Sequence, residues 1–158
     1  MKKASLFLPA LLLSVFVLTG CATGPSAPSG TVDEIADKVF AESGVTFRAP
    51  ERLSLENDEN REFYLGSTEY PEFANSVAVV PMIRIDTRVL YVIKAANKGD
   101  IETIKTALKD NIDPNRLICV TFSLEDVVIE SRGDIIFMTI NSDIEQRTAL
   151  EEAFIAIE

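Results

Sequence analysis

Arg88-Val89-Leu90-Tyr91-Val92-Ile93-Lys94-Ala95 is the stretch that decides the fold. From Val89 to Ile93 every position is apolar and most are β-branched or aromatic, so there is no hydrophobic/polar alternation and the run is too short for a core helix. It reads as a strand whose two faces are both covered. Working outward, Val77, Val79, Ile83 and Ile85 predict a preceding strand, with Pro81 at an edge position or bulge and Asp86-Thr87 as the turn. Asp-Thr also opens the aspartic-protease signature, but Arg88 stands where that signature needs glycine and no second copy follows.

Downstream, Asn97-Lys98-Gly99-Asp100 opens a helix whose Ile101, Ile104, Leu108 and Ile112 share one stripe, and Asp113-Pro114 stops it. Leu117 to Phe122 is apolar and β-leaning, and Ser123-Leu124-Glu125-Asp126 reads as a capped turn. Val127-Val128-Ile129 and Asp134 to Ile140 predict a hairpin across Ser131-Arg132-Gly133. Ser142-Asp143-Ile144-Glu145 is a capping box for a last helix with Ile144, Leu150, Ala153, Phe154 and Ile157 inward. Upstream, Thr31-Val32-Asp33-Glu34 is another capping box. Val32, Ile35, Ala36, Val39 and Phe40 follow at helical spacing, so a helix is predicted over 32–43, closed by Gly44. The fold class is therefore α+β: one antiparallel sheet of four to five strands with about three helices, behind an N-terminal signal helix. Residues 82–108 and 127–154 repeat the order strand, turn, strand, polar break, helix. Matching Met82–Asp86 to Val127–Ser131 suggests a ββα duplication with helices on one face of the sheet. Three helices divided between both faces would serve equally well.

Val45 to Arg61 shows no sustained period, and 55–62 is dense in carboxylates and amides. A calcium loop needs a regular order of acidic ligands and a sharp-turn glycine that this run lacks, so a solvated loop is expected. Phe63, Tyr64, Tyr70 and Phe73 then place four aromatics within eleven residues, either as contact anchors or as a cover for the core edge.

The N-terminus predicts location. Lys2 and Lys3 precede an apolar run from Ser5 to Leu18 that is short for ~30 Å of hydrocarbon and carries Pro9, which favours a secretory signal over a spanning helix. The run ends in Leu18-Thr19-Gly20-Cys21, a lipobox. Cleavage between Gly20 and Cys21 would leave a lipidated cysteine carrying acyl chains such as palmitate; the other reading is an ordinary signal with a chance cysteine. Residues 1–20 are thus the expected signal peptide, 21–30 the lipidated cysteine with a Pro/Gly/Ser-rich flexible tether, and 31–158 a single α+β domain. A lipid anchor places the chain on the extracytoplasmic face of a membrane; where the envelope has two, the outer membrane is one of two candidates, and the sequence does not choose between them.

The chain has 15 Lys+Arg against 25 Asp+Glu, a net charge of −10, which disfavours nucleic acid and electrostatic docking on anionic lipid. With Cys21 committed to lipid, Cys119 is left alone in an apolar run and reads as an inert buried thiol. The absence of histidine removes His-based triads and most zinc chemistry. No cofactor is implied.

Ser76-Val-Ala-Val-Val-Pro-Met82 leading into Val89–Ala95, the helix from Asp100 to Asn111, and Asp134–Ile140 before a terminal helix resemble a family of small lipoproteins. These are bacterial, found mostly in Gram-positive anaerobes, and share a domain of unknown function. The resemblance spans roughly 32–157; the chain departs at Thr121-Phe122-Ser123, where the family pattern has an aromatic Tyr-x-Pro segment. It implies fold and location and transfers no functional residue.

With no Gly-x-Ser-x-Gly elbow, Cys-x-x-Cys or phosphate-cradling loop, the expected role is not enzymatic. It is a membrane-anchored binding or interaction module of the cell envelope, whose partner is an envelope protein or a second copy. The alternative is an envelope hydrolase working through paired carboxylates.

Overall fold

The computed structural model describes residues 26–83, 85–117 and 119–158. The signal segment, Gly20, Cys21 and the first part of the tether lie outside the described residues. Five strands, β1 (Pro50–Leu53), β2 (Phe73–Pro81), β3 (Val89–Ala95), β4 (Val127–Arg132) and β5 (Ile135–Ile140), form one antiparallel sheet in the order β1-β2-β3-β5-β4. Four helices accompany it: α1 (Val32–Ser43), the single turn α2 (Asp58–Asn60), α3 (Ile101–Asn111) and α4 (Ile144–Ala156).

β3 lies at the centre, paired with β2 on one side and β5 on the other. Strand alternation sends Val89, Tyr91 and Ile93 to one face, where Ile136, Met138, Ile104, Leu108 and Leu65 meet them. Leu90 and Val92 point to the other, against Val77, Val79, Phe137, Ile35, Val39 and Phe154. The Phe137 and Phe154 rings stack at 4.9 Å. Helices therefore cover both faces, α1 and α4 on one and α3 on the other, so the order ββα recurs with its two helices on opposite sides. The buried hydroxyls are partnered: Thr139 Oγ1 donates to the Val89 carbonyl at 2.8 Å, and Ser76 Oγ accepts the Leu55 amide at 3.0 Å.

α1 starts and stops as its sequence predicts. Thr31 Oγ1 accepts the Glu34 amide, Glu34 Oε2 accepts the Thr31 amide, and Gly44 closes the helix in the left-handed region. These cap hydrogen bonds hold the Glu34 carboxyl below its ordinary pKa. For α4 the cap moves by one residue: Asp143, not Ser142, accepts the Glu145 and Gln146 amides. The β4–β5 turn is also later than expected, at Gly133-Asp134.

Four further expectations are corrected. β2 ends at Pro81, which has no N–H to continue the ladder, so the described residues 82, 83, 85 and 86 are loop and do not match the strand 127–131. Met82, Ile83 and Ile85 stand 66 %, 56 % and 64 % exposed. Among the described residues of 117–122 none is strand: the buried ones, Leu117 and Phe122, are five apart rather than alternate, and the Phe122 amide donates to the Pro114 carbonyl at 3.4 Å. Cys119 in that loop is exposed, because burial goes to Leu117 and Phe122 instead. Finally, the expected solvated loop at 55–62 begins with the fully buried Leu55. It winds through α2 into a π-helical turn, Arg61–Leu65, with Asn57 Oδ1 accepting the Asn60 amide at 2.8 Å.

Among residues read as tether, Ala27 packs on the α1/α4 side and Pro28 is buried. Ser29 Oγ donates to the Glu158 carbonyl at 2.9 Å, and Lys38 Nζ donates to both Ser29 and Glu158. The domain thus begins before Thr31.

Gly66 closes the π-helical turn at φ +77°, and a Cβ there would lie 1.8 Å from the Asn111 carbonyl oxygen at the end of α3. Gly66→Ala should lower stability by about 2–4 kcal/mol, combining left-handed strain with a backbone clash. Urea unfolding monitored by circular dichroism checks this, and an unchanged midpoint would rule out the contact.

Candidate functional site

The starts of β1, β3 and β4 and the ends of β2 and β5 share one end of the sheet, where Pro50 lies opposite Pro81, Val89 opposite Ile140, and Ile140 opposite Val127. Four connections gather there: 45–49, 82–88, 112–126 and 141–143. Six large apolar side chains are exposed among the described residues. Five of them, Met82, Ile83, Ile85, Leu124 and Ile144, belong to this end; Ile155 belongs to the other. They line more than one hollow: Ile83 and Ile85 share one, and Leu124 lines another with Ile112, Val127 and Ile129.

Ile83 and Ile85 line an open cavity of about 570 Å³ together with Arg48, Thr121 and Ser142. Its geometry is set from beneath. Ala49 enters β1 at φ +45°, a sparsely populated conformation for a residue with a Cβ, and its carbonyl accepts the Met82 amide at 3.3 Å. Asp86 holds the loop from the other side. It accepts the Arg88 backbone amide at 3.0 Å and the Arg88 guanidinium through Nε at 3.0 Å and Nη2 at 2.5 Å. Arg88 in turn lies 5.5 Å over the Phe47 ring. That hydrogen bonding keeps the Asp86 carboxyl below its ordinary value and Arg88 above its own. Arg147 ties the remaining loops together, donating to Asp126 at 3.2 Å and to the Asn141 carbonyl at 2.6 Å. Arg48 is exposed and makes no ion pair with a described residue, leaving one cation at the cavity rim.

An adjoining cavity of about 470 Å³ is lined by Glu59, Glu62, Phe63, Gly66, Asp113 and Arg116. The structure divides the aromatic quartet. Phe63, which borders this groove, meets Tyr64 edge-on at 4.8 Å, and Tyr64 packs on the core residue Tyr91 at 6.5 Å. Tyr70 and Phe73 instead seal the core edge. The Tyr70 hydroxyl donates to the Leu65 carbonyl at 2.7 Å, burial pushes its pKa up to about 12, and Arg61 covers the Phe73 ring at 4.4 Å. Arg116 stacks 5.2 Å over Phe122 with its Nε and Nη1 buried and without hydrogen-bond partners among the described residues. Among the described residues no group of three or more His, Cys, Asp or Glu side chains is placed to share a metal ion. Cys21 and Gly20 lie outside the described residues.

The arrangement can grip an apolar protrusion and hydrogen-bond its rim. Sequence reading missed it because Met82, Ile83 and Ile85 were counted toward a strand. The usable signal was Pro81, after which β-branched residues have no ladder to join.

Asp86 gives a pH test. Its lowered folded-state pKa adds stability that is complete above the ordinary carboxylate value and lost as pH falls through the folded one. The stability difference between the native chain and Asp86→Asn should therefore be constant above about pH 5 and shrink below about pH 4. Thermal unfolding across that range checks it, and a gap that ignores pH would show that the Arg88 pair is not formed in solution. Comparison of the chain with protein-family models, with curated proteins and with solved structures returns no match.

Proposed function

We propose that the protein is a lipid-anchored extracytoplasmic module, held to its membrane through acylated Cys21, that binds a partner protein of the cell envelope at the loop end. The observation that carries this reading is the clustering of Met82, Ile83, Ile85, Leu124 and Ile144 at the end of the sheet farthest from the tether. Ala27 abuts Gly133 in the β4–β5 turn, so the tether leaves from the opposite end, roughly 20 Å away along a six-residue strand. The loop end is thereby clear of the anchor.

The Leu18-Thr19-Gly20-Cys21 lipobox and the apolar run before it support the anchor. No helix among the described residues is long and apolar enough to cross a membrane, so attachment by acyl chains requires nothing further of the domain. Ala27 and Pro28 pack on the domain, so few residues separate the acylated cysteine from it and the domain sits next to the bilayer. The acidic balance favours protein over anionic lipid at the loop end. The cavity suits apolar side chains between Ile83 and Ile85, with Arg48 placed for a carboxylate on the rim.

Two measurements test this. Cys21→Ser should move the chain from the membrane to the soluble fraction, and unchanged partitioning would remove the lipid anchor. Crosslinking in native membranes should join the protein to one discrete partner, and Ile83→Asp with Ile85→Asp should abolish that adduct while leaving the circular dichroism spectrum intact. An adduct that persists in the double variant would refute the loop end as the binding surface.

A further inference from the structure

The two edges of the sheet are built differently. On β1, the Met82 amide donates to the Ala49 carbonyl, so Ala49, Glu51 and Leu53 face β2 and Pro50 and Arg52 face outward. Pro50 has no N–H, and the Arg52 side chain is held by Asp33 and Asp37 of α1. This edge is four residues long and blunted. On β4, the Asn141 amide donates to the Asp126 carbonyl across the same ladder in which Val128, Glu130 and Arg132 face β5. Val127, Ile129 and Ser131 consequently turn their backbone groups outward. The Val127 amide is used locally by the Leu124 carbonyl; the amides of Ile129 and Ser131 and the carbonyls of Val127, Ile129 and Ser131 have no partner among the described residues. β4 has no proline, glycine or bulge, and its Val127-Val128-Ile129 run is only half-buried.

We propose that β4 is a self-association edge, along which the β4 strand of a second copy pairs antiparallel and joins two five-stranded sheets into one. The register follows from the charges. Only residues of the same outward set can meet in hydrogen-bonded pairs, so the two-fold axis passes through a residue of the strand, and Val128, Ile129, Glu130 and Ser131 are the centres to compare. Centring on Val128 sets Asp126 against Glu130, centring on Glu130 sets two carboxylates face to face, and centring on Ser131 leaves few residues overlapping. Centring on Ile129 pairs Val127 with Ser131 and places Glu130 opposite Val128, so no two carboxylates meet; Asp126 and Arg132 stay with their own chain, on Arg147 and on the Phe154 and Ile157 carbonyls.

Anchoring gives an independent reason to choose a second copy, and this part rests on the lipid-anchor reading. The two-fold axis of an antiparallel edge pairing is normal to the sheet, so both copies present the same face in the same direction. Ala27 packs on the α1/α4 side, and therefore both tethers leave that side and can enter one membrane. The loop ends then point to opposite ends of the joined sheet, each start of β4 lying beside the β4–β5 turn of the other copy.

Site-directed disulfide crosslinking of the full-length chain in its own membrane tests the edge. Cys119 is exposed, so Cys119→Ser supplies the background and the control for any other thiol. In that background Ile129→Cys places two thiols at the axis with Cα atoms about 5.5 Å apart, within disulfide range. Mild oxidation should convert most of the chain to covalent dimer. Val127→Cys combined with Ser131→Cys should do the same without touching Ile129, which covers the case in which Ile129→Cys misfolds. Arg52→Cys, on the closed edge, should stay at background. No dimer from either β4 variant, or equal dimer from Arg52→Cys, would overturn the proposal. A disulfide adduct of another mass would also overturn it, by showing that a foreign strand takes the edge.

Discussion

Everything in this fold answers to the enclosure of β3. Its edges are taken by β2 and β5, and its side chains from Val89 to Ile93 are fully buried or nearly so on both faces. A strand with apolar residues in both directions is stable only between two layers, because leaving one face in water forfeits the burial free energy of every second side chain. α1 and α4 supply one layer. The other is supplied by α3 and by the segment from Leu55 to Leu65, which contributes two fully buried leucines. The polar chemistry inside is correspondingly sparse, and where a hydroxyl is enclosed, as at Thr139 and Ser76, it finds a backbone partner.

Enclosure of the centre pushes variability to the perimeter, and proline marks where. Pro81 ends β2, Pro50 blunts β1, and Pro114 follows α3 into the long connection to β4. Each stands where the missing N–H matters least. The outcome is an asymmetric perimeter, with one closed edge, one open edge, one end given to loops and one end given to the tether. The proposed contact surfaces fall on the parts of the perimeter that the chain does not use for its own stability.

What the sequence made legible follows from the same physics. α1 and α4 carry caps, α3 has sustained helical periodicity, and β3 and β5 are short continuous apolar runs buried on both faces, so local pattern and tertiary environment agree for them. β1 was missed because Pro50-Glu51-Arg52-Leu53 is polar and short, and it is a strand through its partner β2 and its ion pairs to α1. Met82 to Asp86 and Leu117 to Val120 failed in the opposite sense. Apolar, β-branched composition records what a segment is able to cover, and it cannot say whether the cover is the protein's own sheet or something outside it. Cys119 followed its neighbours into that error. Of the candidate site, the aromatic cluster was visible, but its division was not. The parity of Phe73 in β2 and the reach of the Tyr70 hydroxyl to Leu65 depend on how the π-helical turn seats against α3, and the space at Gly66 sets that.

The docking of Ala27 to Gly30 has a mechanical meaning. Tension drawn between that segment and the loop end runs nearly along the strands, because the two lie at opposite ends of the same ladders. Under such a pull neighbouring strands slide in shear and their hydrogen bonds share the load, whereas a pull across the sheet would open them one after another. The bonds of Ser29 and Lys38 to Glu158 fasten the start of the domain to the end of α4, so the force enters at two elements and is spread before it reaches the core. The domain is thereby built to transmit a tug along its length while keeping its shape.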